Sequence, residues 1–216
     1  MSLTNVILRK ELHELTKNRA VVASLLLPMF IFALLPLIAQ TVQQLSLAGP
    51  MTNIGMEAGL EQMVTTFPQL AQLTGDQQIV VLLLRQFNIL FLMLPIITSL
   101  SLATYSIIGE KQSGSLEPLL ASPAPTHTIF LGKSIAIVLP AVLATWFGFG
   151  VYAWLASQVH GTHVLSYSID GATWLMIATI VPLLALFALS IGSIVSSRVT
   201  EPRAAQQIGA VFVLPI

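Results

Sequence analysis

Gly132-Lys133-Ser134 has the ending of a phosphate-binding loop, in which backbone amides and a lysine cradle the phosphates of a nucleotide. That motif needs a glycine five residues ahead of its Gly-Lys pair, and position 127 is His. No strand pattern precedes it either, so this chain is not expected to hydrolyse ATP. His160 and His163 lie close enough together to suggest a metal. They fall in a short polar stretch with no acid in register to orient them, which argues for ordinary loop residues and no metal. Serine-based proteolysis inside a membrane would need a histidine within an apolar run, and none of the four histidines lies in one. Cysteine is absent, which excludes thiolate nucleophiles, thiolate metal sites and disulfides.

The carboxylates inform through their placement. Glu110, Glu117 and Glu201 flank apolar runs on one side, and Glu57, Glu61, Asp76 and Asp170 on the other. None of these falls mid-run, where a proton- or sodium-driven carrier commonly holds one. Transport by this chain would therefore draw its energy from another subunit. Arg85 stands alone among the basic residues, next to Gln86 and Asn88 at the start of an apolar run. It reads as an anchor reaching the headgroups or pairing with an acid such as Asp76, with contact to an anionic substrate as the lesser alternative.

The elements that must position these residues are membrane helices. Of 216 residues 55% are hydrophobic and only 8% charged, against about 25% charged in soluble domains. So few charges cannot cover a soluble surface, and the expected fold class is all-α, a polytopic helical membrane protein. Thr4–Arg19 is an amphipathic helix with Leu8, Leu12 and Leu15 on one face and Arg9, Lys10, His13, Glu14 and Lys17 elsewhere, suited to the interface with its leucines toward acyl chains. Four complete transmembrane helices follow at Val21–Gln40, Phe87–Ile108, Ser134–Ala156 and Ala172–Ser196, with kinks expected at Pro28, Pro36, Pro95, Pro140 and Pro182. Tyr152 and Trp154 suggest an aromatic belt, and Trp174 an anchor.

Thr41–Gln78 has no Lys or Arg. Met56, Leu60, Met63, Val64, Phe67 and Leu70 recur there at helical spacing, predicting one or two surface helices. Arg9, Lys10, Lys17, Arg19, Lys111, Lys133, Arg198 and Arg203 all fall on one side of the spans and only Arg85 on the other. The positive-inside rule then places the N-terminus and the Gly109–Lys133 segment in the cytoplasm of a cell-membrane protein. Net charge is zero, and no nucleic-acid partner is expected.

Gly109–Lys133 is the main polar interruption on that basic side. Gly114 allows a turn, Ser115 can cap a helix starting at Leu116, and Pro118 falls in its first turn. Leu116, Leu119 and Leu120 share a face, and Pro123 and Pro125 stop the segment. A very short amphipathic helix between two spans is predicted, and on spacing alone an ordinary connecting loop competes with it.

Glu110-Lys111-x-x-Gly114-x-Leu116-Glu117-x-Leu119-Leu120-x-Ser122-Pro123, followed by Gly132-Lys133, resembles the signature of type-2 ATP-binding-cassette (ABC) transporter permeases. That resemblance implies that the segment is a coupling helix seated on a cytoplasmic ABC ATPase subunit, which would bind the ATP. It also implies a single permease domain over 1–216 working with a second permease half, as a homo- or heterodimer, within the lipid bilayer. Glu110 and Glu117 would make charged contacts with the ATPase, and Leu116, Leu119 and Leu120 its apolar anchor. Lys111, Gly114, Ser122, Pro123 and Lys133 complete the expected coupling residues. The exported substrate would be a drug, lipid, polymer or sodium ion. Relatives continue through a fifth and sixth span, whereas here the apolar run Ala204–Ile216 is only the start of a fifth, so the chain is expected to be C-terminally incomplete. A scaffold docking another cytoplasmic partner, and an ion-coupled secondary transporter, are the alternatives.

Overall fold

In a computed structural model, the structure describes residues 3–48, 62, 65–115 and 125–213. These residues are helical nearly throughout and contain no strand. We label α1 (Leu3–Lys17), α2 (Arg19–Ala33), α3 (Leu35–Ala48), α4 (Gly75–Leu90), α5 (Met93–Ser113), α6 (Thr126–His160), α7 (Thr162–Ser168), α8 (Gly171–Arg198) and α9 (Pro202–Val213), with a 3₁₀ turn at Pro68–Gln72. Four stretches are long and apolar enough to cross a bilayer: Val21–Thr41, Gly75–Ser113, His127–His160 and Gly171–Arg198. The protein is thus an all-α polytopic membrane protein.

Proline acts on these spans unevenly. Pro36 cannot donate to the Phe32 carbonyl, and the first span breaks at Leu34. Pro95 cannot donate to the Phe91 carbonyl, and the second span breaks at Phe91–Leu92, leaving Pro95 in the first turn of α5. Pro28, Pro140 and Pro182, in contrast, lie inside uninterrupted helices. The break expected at Pro95 is therefore displaced, and at Pro140 helix α6 runs on for its 35 residues.

The helices assemble into two compact units. The first comprises Met1–Met29, Leu92–Trp146 and Ala178–Ile216. Leu15 and Val21 pack there with Leu102, Ala103, Ile137, Ala141 and Leu189. Of the leucine face of α1, Leu15 is buried in protein, while Leu8 and Leu12 are half-buried. Helix α5 is buried on most of its surface, and two of its buried hydroxyls bond back to their own helix, Thr98 Oγ1 donating to Leu94 O at 2.7 Å and Thr104 Oγ1 to Ser101 O at 2.9 Å. Small residues then permit close approach, with Gly192 of α8 against Ala103 and Leu100, and Gly209 of α9 against Leu100.

The second unit comprises Phe30–Phe91 and Phe147–Ile177. Its core is aromatic. Phe91 meets Phe149 edge-on at 5.4 Å and Tyr152 at 5.0 Å, while Phe32 and Trp174 close the cluster. Tyr152 is wholly buried and donates to Leu84 O at 2.9 Å, so it is a core residue rather than part of an outer belt. Trp154, exposed, keeps the belt assignment open for itself. Gln78 Nε2 donates to the carbonyls of Leu70 and Leu73, tying the 3₁₀ turn to the start of α4. Of the predicted surface-helix stripe, Phe67 and Leu70 are described; Met56, Leu60, Met63 and Val64 lie outside the described residues.

Candidate functional site

The polar segment shortens from both ends in the fold. Residues 109–113 continue α5 and residues 126–133 begin α6, leaving about a dozen residues between the helices. Leu116, Glu117, Leu119, Leu120, Ser122 and Pro123 lie outside the described residues, and with them the predicted short helix. Its flanks are described.

Helix α5 ends where a residue without Cβ can reverse the chain. Gly114 has φ of 68°, and Ser115 N–H donates to Glu110 O at 3.1 Å while Gly114 N–H donates to Lys111 O at 3.3 Å. This paired closure satisfies carbonyls that the helix end would leave free. It also sets the direction in which the chain leaves α5.

Glu110, on the last turn of α5, is buried, and its Oε1 lies 2.7 Å from Lys133 Nζ of α6. The same ammonium lies 3.0 Å from Oε1 of Glu11 on α1. Ser106 bridges the group, its Oγ accepting from Lys133 Nζ at 3.3 Å and donating to Glu11 Oε2 at 3.1 Å. Glu110 Oε2 meets no donor among the described residues. One ammonium thus serves two buried carboxylates, and three helices meet at one nitrogen.

Lys111 turns the other way. Its Nζ donates to Ser196 O at 2.6 Å and Ser197 O at 2.8 Å, the last carbonyls of α8, where a cation opposes the helix dipole. Gln112 Nε2 donates to Thr200 O at 3.1 Å in the following turn. Pro202 then starts α9, where its missing N–H costs nothing, and Ala205 N–H donates to Glu201 O at 3.1 Å.

Of the expected coupling residues, the structure gathers Glu110, Lys111, Gly114 and Lys133 into one collar that joins the end of α5, the first turns of α6, the last turn of α8 and the middle of α1. Their side chains and backbone serve the protein itself. Glu110 in particular is buried and faces Lys133. Sequence reasoning passed over Glu11 and Ser106. The signal for Glu11 was present: it sits three residues after Leu8 and four before Leu15, a lone carboxylate on a leucine face. No group of acids and histidines among the described residues could hold a metal ion.

Arg85 is held by a backbone carbonyl and an aromatic ring. Its Nε and Nη2 donate to Tyr167 O at 3.1 and 2.8 Å, and its guanidinium lies 4.1 Å from the centre of the Phe67 ring. Asn88 Nδ2 donates to the next carbonyl, Ser168 O, at 2.9 Å. One turn of α4 thus caps the end of α7, and Asp76 is not the partner of Arg85.

A protein-family model described as ABC-2 family transporter protein matches residues 5–215. No curated protein matches the chain.

Proposed function

The chain belongs to the ABC-2 transporter family as a membrane permease, and we propose that it couples ATP hydrolysis by a separate ABC ATPase subunit to export of a substrate. The segment between Gly114 and Pro125 docks on the ATPase, with Leu116, Leu119 and Leu120 as its apolar anchor and Glu117 as its charged contact. Glu110, Lys111, Gly114 and Lys133 act by positioning that segment rather than by touching the partner.

One observation carries this reading: the 2.7 Å contact between Glu110 and Lys133 joins the helices on either side of the segment through a buried ion pair. A load applied between those helices meets a joint already closed, so it moves α5 and α6 together instead of bending a slack loop. Glu11 and Lys111 extend the joint to α1 and α8. Two permease copies or halves, each with its ATPase, complete the transporter, with the N-terminus in the cytoplasm of the cell membrane.

The test is co-expression with candidate ABC ATPase subunits and reconstitution of the complex. Replacing Leu116, Leu119 and Leu120 together by Ser is expected to abolish co-purification, and Glu117→Lys to lower permease-dependent ATPase activity at least severalfold. Intact assembly and hydrolysis in both variants would overturn the docking assignment. Cargo movement driven by an ion gradient without any ATPase would overturn the function itself.

A further inference from the structure

Arg85 is the only Lys or Arg between Arg19 and Lys111. In the second unit it lines an open cavity of about 270 Å³ with Gln62, Thr66, Phe67, Leu82, Gln86 and Ile89. The guanidinium is held in place, since two of its N–H groups converge on Tyr167 O and Phe67 lies over its plane. That leaves the Nη1 amino group and a second Nη2 hydrogen without a hydrogen bond among the described residues.

A preorganised cation with spare donors recognises an anion, and an oxygen pair suits its planar fork best. The side-chain amides of Gln62 and Gln86 supply further neutral donors at the cavity, and both residues are exposed, as is Thr66, whose hydroxyl donates to Gln62 O at 2.7 Å. The remaining wall is apolar, with Phe67 at 42% and Ile89 at 57% exposure. The Asp170 carboxyl is held below the usual range first by the N–H and hydroxyl of Thr173 and only to a lesser degree by Arg85, with which it forms no salt bridge. The cavity therefore offers one guanidinium charge, which fits a singly charged group better than a doubly charged one. An apolar wall beside a single cation is poorly matched to free inorganic phosphate.

We propose that the Arg85 cavity binds the phosphodiester headgroup of an anionic phospholipid, with Ile89 and Phe67 against the start of its acyl chains. This assignment stands apart from the coupling reading, because it concerns a different unit and a binding event that needs no ATPase.

Full-length protein in a neutral detergent would be titrated with dioctanoyl phosphatidylglycerol, dioctanoyl phosphatidylcholine or inorganic phosphate, with binding read by native mass spectrometry and thermal shift. Phosphatidylglycerol is expected to bind at least tenfold more tightly than phosphatidylcholine, with phosphate not competing at the same concentration. Arg85→Gln should lose that preference by roughly tenfold or more, the scale of one charge-assisted hydrogen bond. Arg85 also holds α7, so Thr66→Glu is the second variant: it leaves the Tyr167 contacts in place and sets a carboxylate beside the cavity. It too should erase the preference. Equal binding of the two lipids, competition by inorganic phosphate at matched concentration, or an unchanged preference in Thr66→Glu would each overturn the site.

Discussion

At the scale of single residues, charge inventory decides which change matters in the collar. Glu11, Glu110 and Lys133 together carry one excess negative charge in a buried place. Removing the lysine leaves two uncompensated carboxylates, whereas neutralising Glu110 leaves Glu11 and Lys133 as a balanced pair. Breaking a buried pair from one side costs roughly 3–5 kcal/mol, so Lys133→Met should lower the thermal midpoint strongly. Glu110→Gln should cost much less, because the Glu110 carboxylate forms an ion pair with Lys133 but no hydrogen bond among the described residues, and Glu11 still compensates the lysine. Melting both variants in detergent checks this, and equal losses would mean that the lysine is not the hub. A second residue-scale prediction concerns acid. Asp170 Oδ1 accepts from both the N–H and the Oγ1 of Thr173 at 2.8 Å, capping α8, and these bonds hold its carboxyl below the ordinary 3.8. A depressed folded value means that the stabilisation is present above the unfolded value and disappears as pH falls through the folded one. The deficit of Asp170→Ala should therefore stay constant above about pH 5 and shrink below it. Solvent screening of this exposed group keeps the deficit small. A deficit that grows in acid would contradict the cap.

At the scale of elements, two glycines should respond differently to the same methyl group. A Cβ on Gly192 would sit 2.9 Å from the Cβ of Ala103, an atom fixed to the backbone of α5. A Cβ on Gly209 would sit 2.7 Å from Cδ1 of Leu100, the far end of a side chain that can swing aside. Overpacking costs about 1–3 kcal/mol, so Gly192→Ala should fall at the upper end of that range and Gly209→Ala at the lower. Adding Leu100→Ala should rescue Gly209→Ala far more than Gly192→Ala, as read from melting of the four variants. The elements themselves were largely legible, because apolar runs of spanning length leave little choice of secondary structure. Their ends were not. Residues 109–113 are polar and 126–133 are mixed, yet polarity does not stop a helix, and the boundaries come from Gly114 and from Pro125, whose carbonyl accepts from Thr128 and Ile129 N–H at the start of α6. The roles of Pro95 and Pro140 could not be told apart by type, since one sits at a break and the other inside a continuous helix. Which residues form the collar was half visible. Glu110, Lys111, Gly114 and Lys133 stand out through the family resemblance, but Glu11 lies 95 residues from Ser106 and 122 from Lys133, and only the fold brings them together.

At the scale of the whole molecule, orientation governs everything proposed for the collar and for the Arg85 cavity, because an ATPase and an external leaflet lie on opposite sides. The argument for it is a bias summed over the chain, eight of nine basic residues flanking the spans on the side of the N-terminus. It is independent of the family match, and it can be tested independently. The chain has no cysteine, so a single introduced thiol reports its own position without background. Ser113→Cys stands at the exposed end of α5, and Gln72→Cys at the exposed end of the 3₁₀ turn before α4. Between them lies Gly75–Ser113, a stretch long and apolar enough to cross a bilayer, so the two thiols are expected on opposite sides whichever way the protein faces. With the N-terminus in the cytoplasm, a membrane-impermeant maleimide should label Gln72→Cys in intact cells and reach Ser113→Cys only after permeabilisation. The reverse pattern would put the collar outside, where no ATPase could dock on it. Labelling of both sites in intact cells would contradict the crossing itself, and with it the membrane path on which both the coupling segment and the lipid cavity depend.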